Sequence, residues 1–143
     1  MKKLFYMTII AALITACDID NAGNGGIYGN WQLQQVDTLA SGGMRDMSKS
    51  CIYWAFESDV MQIRRIDGNN IKLMFTYKAA GDSITVRNPL LVRTKDELIA
   101  VEDKKTLEEY CMTGLTDIFH IIRKKNNTLI LENSAYRMTF RKY

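Results

Sequence analysis

Eight short segments with one apolar face each, separated by small polar turns, follow one another from Tyr28 onward, and this rhythm constrains the chain to an antiparallel meander. They fall at residues 28–37, 51–57, 60–66, 71–78, 83–87, 117–124, 128–132 and 135–142. Ile71, Leu73, Phe75 and Tyr77 alternate with Lys72, Thr76 and Lys78, while Tyr136, Met138 and Phe140 alternate with Arg137, Thr139 and Arg141. Side chains in a strand point to opposite faces in turn, so one face of each segment is core. Asp67-Gly68-Asn69-Asn70, Lys125-Asn126-Asn127 and Asn133-Ser134 are hairpin signals. Sequential hairpins make neighbours of successive strands, and closing the sheet on itself removes the edges that invite aggregation. The expected fold is all-β, an eight-stranded antiparallel up-and-down barrel.

Residues 88–116 interrupt the rhythm, opening with the only proline, Pro89. Thr106 and Glu109 have capping-box spacing, Leu107, Tyr110 and Cys111 share a helical face, and Gly114 is a natural stop. One short helix is therefore expected before the last three strands.

Ahead of the barrel, Lys2 and Lys3 precede an apolar run from Leu4 to Ile14 broken only by Thr8. The run is shorter than the ~20 residues a permanent membrane span needs, and it has the shape of an export signal. Ile14-Thr15-Ala16-Cys17 resembles the lipobox of bacterial lipoproteins, which implies removal of residues 1–16 and a diacylglyceryl group on the Cys17 sulfur. Two or three acyl chains at ~0.8 kcal/mol per buried methylene hold a domain at a membrane almost irreversibly. The resemblance implies a cell-envelope location, at the outer membrane, on its periplasmic face or the cell surface. Residues 17–26, polar and glycine-rich, then read as a lipidated flexible tether spanning about 16 Å as a coil, and residues 27–143 as the barrel domain.

Loss of Lys2 and Lys3 lowers the formal charge from +3 to +1, with 17 basic against 16 acidic side chains. A balance this even argues against a nucleic-acid partner, which needs clustered cations. Lipidation of Cys17 leaves Cys51 and Cys111 as an even pair. Two readings stand open: a disulfide, stabilising by about 4 kcal/mol in the chain-entropy model, or two separate buried thiols.

Gly29-Asn30-Trp31, opening the first strand, is similar to the Gly-x-Trp motif that starts the lipocalin barrel. Tyr53-Trp54-Ala55-Phe56 and the ending Phe140-Arg141-Lys142-Tyr143 resemble lipocalin-like lipoproteins of Bacteroidetes-type bacteria. The resemblance covers residues 27–143. It implies that the indole of Trp31 closes one end of the barrel and that an arginine near the last strand, Arg137 or Arg141, covers it. No Thr-Asp-Tyr-like segment is present. The inward side chains, and hence the ligand-binding candidates, are Trp31, Trp54, Phe56, Phe75, Tyr77, Tyr136, Met138 and Phe140, with a filled interior expected over an open cavity.

Catalytic chemistry is thin. His120 is the only histidine and is expected to be a packed or rim residue. Glu102-Asp103 and Glu108-Glu109 are adjacent pairs whose side chains diverge, so solvated charge explains them. No metal-ligand spacing, nucleophile elbow or phosphate-cradling glycine pattern occurs, and no metal or cofactor is expected. Asn126-Asn127-Thr128 reads as a turn rather than a glycosylation site, and Asp37-Thr38-Leu39 and Asp82-Ser83-Ile84 resemble the O-glycosylation pattern of Bacteroidetes. The expectation is a non-enzymatic, membrane-anchored barrel binding a small hydrophobic ligand. The alternative is an interaction module, an enzyme inhibitor or accessory subunit, that meets an envelope protein through residues 38–50 and 88–116.

Overall fold

The computed structural model describes residues 26–68 and 70–143, so the expected signal, Cys17 and the tether up to residue 25 lie outside the described residues. Among the described residues the strands are β1 (Gly29–Thr38), β2 (Met44–Asp46), β3 (Ile52–Glu57), β4 (Val60–Arg65), β5 (Ile71–Ala80), β6 (Ser83–Thr94), β7 (Glu97–Ala100), β8 (Asp117–Lys125), β9 (Thr128–Glu132) and β10 (Tyr136–Lys142), with one helix, α1 (Lys105–Glu108). Eight of these, β1, β3, β4, β5, β6, β8, β9 and β10, pair antiparallel with their successors. β10 then returns to β1, from Trp31↔Lys142 to Thr38↔Tyr136, and the barrel closes.

β2 and β7 lie beyond the expected eight. β2 is three exposed residues added to the edge of β1 where β3 has ended, and β7 is a four-residue exposed hairpin partner of β6. The fifth strand also runs further than its alternation indicates, through Pro89 to Thr94. A bulge makes this allowable: Met74 pairs with Leu90 and Thr76 with Arg87, leaving Asn88, at φ +55°, and Pro89 outside the regular ladder. Proline is tolerated at such a point because no ladder donor is required of it. Before the bulge β6 pairs with β8, and after it with β7.

The expected helix is present but is capped differently. Thr106 and Glu109 form no capping box; Asp103 Oδ1 instead accepts the Lys105 N–H at 3.0 Å, and Glu109 turns away to Arg65. The turn stops at Cys111, at φ +63°, rather than at Gly114. Met112 N donates to Leu107 O and Cys111 N to Glu108 O, which is the hydrogen-bond pattern of a left-handed helix end.

Strand direction gives the barrel two unlike ends. The entry to β1, the turns at 58–59, 81–82 and 126–127, and Tyr143 share one, called the tether end after the segment expected to lead into it. The loops at 39–51, 66–70, 95–116 and 133–135 share the other, the plugged end. Between them runs one apolar core drawn from every wall strand and from the α1 segment.

Candidate functional site

The lumen of a closed eight-stranded sheet either is filled by side chains or holds one small ligand, and here buried side chains lie in it. Trp31, Trp54, Phe56, Phe75, Tyr77, Met138 and Phe140 are all buried, and Tyr136 is half-buried against the same core. The ring of Trp54 lies 5.1 Å from Phe140, 5.4 Å from Phe119 and 6.4 Å from Phe56, and Phe56 meets Tyr77 at 5.3 Å in an edge-on contact. Centroid spacings of ~4.5–7 Å are those of rings in direct contact. Of the expected inward set, Trp54, Phe56, Tyr77 and Phe140 therefore form one ring cluster with Phe119, and Trp31, Phe75, Tyr136 and Met138 belong to the same apolar core. Phe119, central to it, was not among the candidates, although its place opposite exposed Ile118 and His120 in an alternating strand was the available signal. Trp54 Nε1 and the Tyr77 hydroxyl are buried without a hydrogen-bond partner.

At the tether end, Gly29 turns the chain into β1 at φ +115°, a conformation natural to glycine, and a Cβ there would stand 2.5 Å from Lys142 Nζ. Trp31 Nε1 donates to Ile27 O at 2.8 Å, folding the entry segment across the barrel, and both side chains are buried. The cation over the indole is Lys142, with Nζ 4.6 Å from the ring centre and donating to Tyr28 O at 2.7 Å. Neither expected arginine is there. Arg137 pairs with Glu132, and Arg141 donates to Gln32 Oε1. Burial, and then the nearby Lys124 charge, hold the Lys142 amine below its ordinary range.

The plugged end is closed by Leu107, Tyr110, Cys111 and Met112, all buried. A polar latch fastens them. Asp117 accepts from Thr113 N, Thr113 Oγ1, its neighbour Ile118 N and Asn133 Nδ2 at 2.8 to 2.9 Å, and Asn133 Nδ2 also donates to Cys111 O at 2.8 Å. Asn133 Oδ1 accepts from Ala135 N and Tyr136 N, so the turn between β9 and β10 is bound into the same network. Residue patterns mark Asn133 only as a turn former and Asp117 only as the start of a strand.

In the structure Cys51 and Cys111 are not bonded to each other; Cys51 is half-buried and Cys111 buried. Cys51 Sγ faces Lys49 O, while Cys111 Sγ receives Arg45 Nη2 at 3.6 Å. Burial pushes the Cys111 thiol up, and Arg45 partly opposes that.

Clefts on the described residues open to solvent. One of about 420 Å³ lies over Thr76, Lys78, Thr85 and Arg87, and another of about 420 Å³ lies beside Ile118, His120 and Asn133. His120 is exposed on the outer face with Nδ1 3.3 Å from Ser83 Oγ. Glu132 stands opposite it in register but is engaged by Arg137, so no aligned acid, base and nucleophile result. Glu102, Asp103, Glu108 and Glu109 are exposed. Among the described residues no three His, Cys, Asp or Glu side chains gather where a metal could bind, and no helix is long and apolar enough to cross a membrane.

A family model described as a lipocalin-like domain matches residues 12–143. The chain belongs to that family. Comparison with curated proteins finds no match. Among solved structures, this lipocalin-like barrel is similar to a lipocalin-like protein from Bacteroides uniformis, with a TM-score of 0.63 and 20% identity over 82% of this chain and 98% of that one. It is also similar to an uncharacterized protein from Bacteroides eggerthii, with a TM-score of 0.57 and 14% identity over 82% and 99% of the two chains. At such identities the likeness establishes the lipocalin-like fold.

Proposed function

We propose that this protein is a lipid-anchored lipocalin-like lipoprotein of the bacterial cell envelope that works by binding and not by catalysis. The observation that carries the binding surface is the occupied lumen: Trp54 and its ring neighbours leave the described interior to side chains, so a partner meets the outside. The plugged end offers the longest loops, with exposed Leu98, Ile99 and Leu115 on and beside the arm formed by β6 and β7. A protein of the envelope fits such a surface better than a small molecule does, because loops on a rigid frame supply area rather than enclosure. Support for the anchor is the lipobox-like run ending at Cys17. Crosslinking in intact cells tests the interaction: a discrete adduct through residues 95–116 is expected, and adducts spread evenly over the surface would overturn it.

One observation favours a second reading, a small hydrophobic ligand carrying a hydrogen-bond acceptor. Trp54 Nε1 and the Tyr77 hydroxyl are buried and unpaired, which costs ~1–3 kcal/mol for each unless something answers them. Displacement of the α1 plug would give such a ligand its entrance. Soaking with fatty acids of graded chain length separates the two readings, since only a lumen ligand would shift the resonance of the Trp54 indole.

A further inference from the structure

The tether end carries a one-sided basic rim. Arg123, Lys124 and Lys125 end β8, Arg141 and Lys142 end β10, and all five are exposed. Lys125 and Arg141 both pair with Thr128 of the intervening β9, which sets them about 10 Å apart, two strand spacings. Lys142 N donates to Asn127 O, so the turn at 126–127 is fixed beside them. Two exposed aromatic residues flank the rim: Tyr143, whose ring rests on Tyr53 at 5.0 Å, and Tyr28. Acids at this end are Glu57, which closes β3, and Asp59 and Asp82 in the turns β3–β4 and β5–β6, the second of which adjoins β8 where Ile121 N donates to Asp82 O. At the opposite end, residues 95–116 hold six acids against three bases.

The chain enters the barrel at this same rim. Lys124 Nζ would stand 2.7 Å from a Cβ on Gly26, so the first described residue lies against the basic cluster, nine residues on from Cys17 in sequence. We propose that Arg123, Lys124, Lys125 and Arg141 dock on the anionic phosphate headgroups of the bilayer that holds the Cys17 acyl chains, with Lys142 held over Trp31 beside them. This rests on the lipid-anchor reading. Docking sets the barrel upright, with the tyrosines at headgroup depth and the acidic, plugged end turned away from a surface that repels it. Nine residues separate Gly26 from Cys17 in sequence, and a coil of that length, about 16 Å, would keep the rim within reach of the headgroups, while the attraction falls off within a Debye length of ~8–10 Å.

Lysine acetylation of the mature, acylated protein in vesicles tests the proposal by comparing phosphatidylethanolamine with a quarter phosphatidylglycerol against pure phosphatidylcholine. Lys124 and Lys125 are expected to react about fivefold more slowly on the anionic vesicles, with the protection lost at high salt, while Lys95, Lys104 and Lys105 react equally on both. The variant Arg123→Glu/Lys125→Glu, both exposed sites, is expected to abolish the protection of Lys124 with an unchanged circular dichroism spectrum. Equal rates at Lys124 on both vesicles, protection of the plugged end instead, or protection that survives the double variant would overturn the docking and leave the anchor standing. An unmodified Cys17 peptide with no vesicle-bound protein would overturn the anchor and the docking together.

Discussion

The two ends of the barrel are closed by different physics. At the tether end a local motif does it: Gly29 bends the chain, Trp31 fills the opening and reaches back only four residues to Ile27, and one lysine covers the indole. At the plugged end a segment of little regular structure buries Leu107, Tyr110, Cys111 and Met112, and it is fastened there by a buried carboxyl group and a buried amide that join β8, the turn before β10 and Cys111. An apolar cap resists opening in proportion to its area, whereas a polar latch opens as a unit once one donor or acceptor is lost. On that contrast rests the expectation that the plugged end opens before the tether end.

Four substitutions break or sharpen that contrast. Trp31→Ala should have the largest effect, lowering unfolding free energy by about 3–5 kcal/mol in a urea titration, with the loss spread over the whole barrel. A drop smaller than that of any plugged-end variant would reverse the assignment. Asn133→Leu should cost about 1–3 kcal/mol by leaving Cys111 O and one Asp117 oxygen short of a donor. Its signature is faster hydrogen exchange at residues 105–113 with the strands β8 to β10 still protected, and uniform exchange would mean that the plug is not separately latched.

Lys142→Met keeps the aliphatic stem over Trp31 but removes the cation, and should cost about 0.5–1 kcal/mol. A double-mutant cycle with Trp31→Phe locates that loss: additivity would show the lysine and the ring to be uncoupled. The smallest effect is in pH. Burial raises the Cys111 thiol, so between its unfolded value of ~8.5 and its folded value the unfolded chain has lost a proton that the folded one retains. Stability from this group is complete below about pH 8.5 and is lost as pH rises through the folded value. Cys111→Ala should remove that part of the alkaline decline, leaving the part from Tyr77 and Tyr110, which burial also raises.

The same contrast separates what was legible in the residues from what was not. The wall strands could be placed because each carries its own alternation and five of their pairings, β3–β4, β4–β5, β5–β6, β8–β9 and β9–β10, are hairpins with a short turn. β2 and β7 are exposed on every residue, so they carry no apolar alternation to find. Pro89 misplaced the end of β6 because the bulge that accommodates it depends on β5 across the sheet. The inward rings and Trp31 were readable from period two and one tripeptide. Lys142 was hidden behind the expectation of an arginine, since a cation over an indole needs only charge and reach. The Asp117–Asn133 latch left no trace because its partners are sixteen residues apart and both types are ordinary turn formers.

Native mass spectrometry of the protein extracted gently from its own membrane tests the central claim, an acyl-anchored barrel whose interior is filled by its own side chains. The expected spectrum is one species, the chain from Cys17 with its acyl groups and no further mass. A stoichiometric adduct that leaves only when the barrel unfolds, or a chain lacking acyl mass on Cys17, would contradict it.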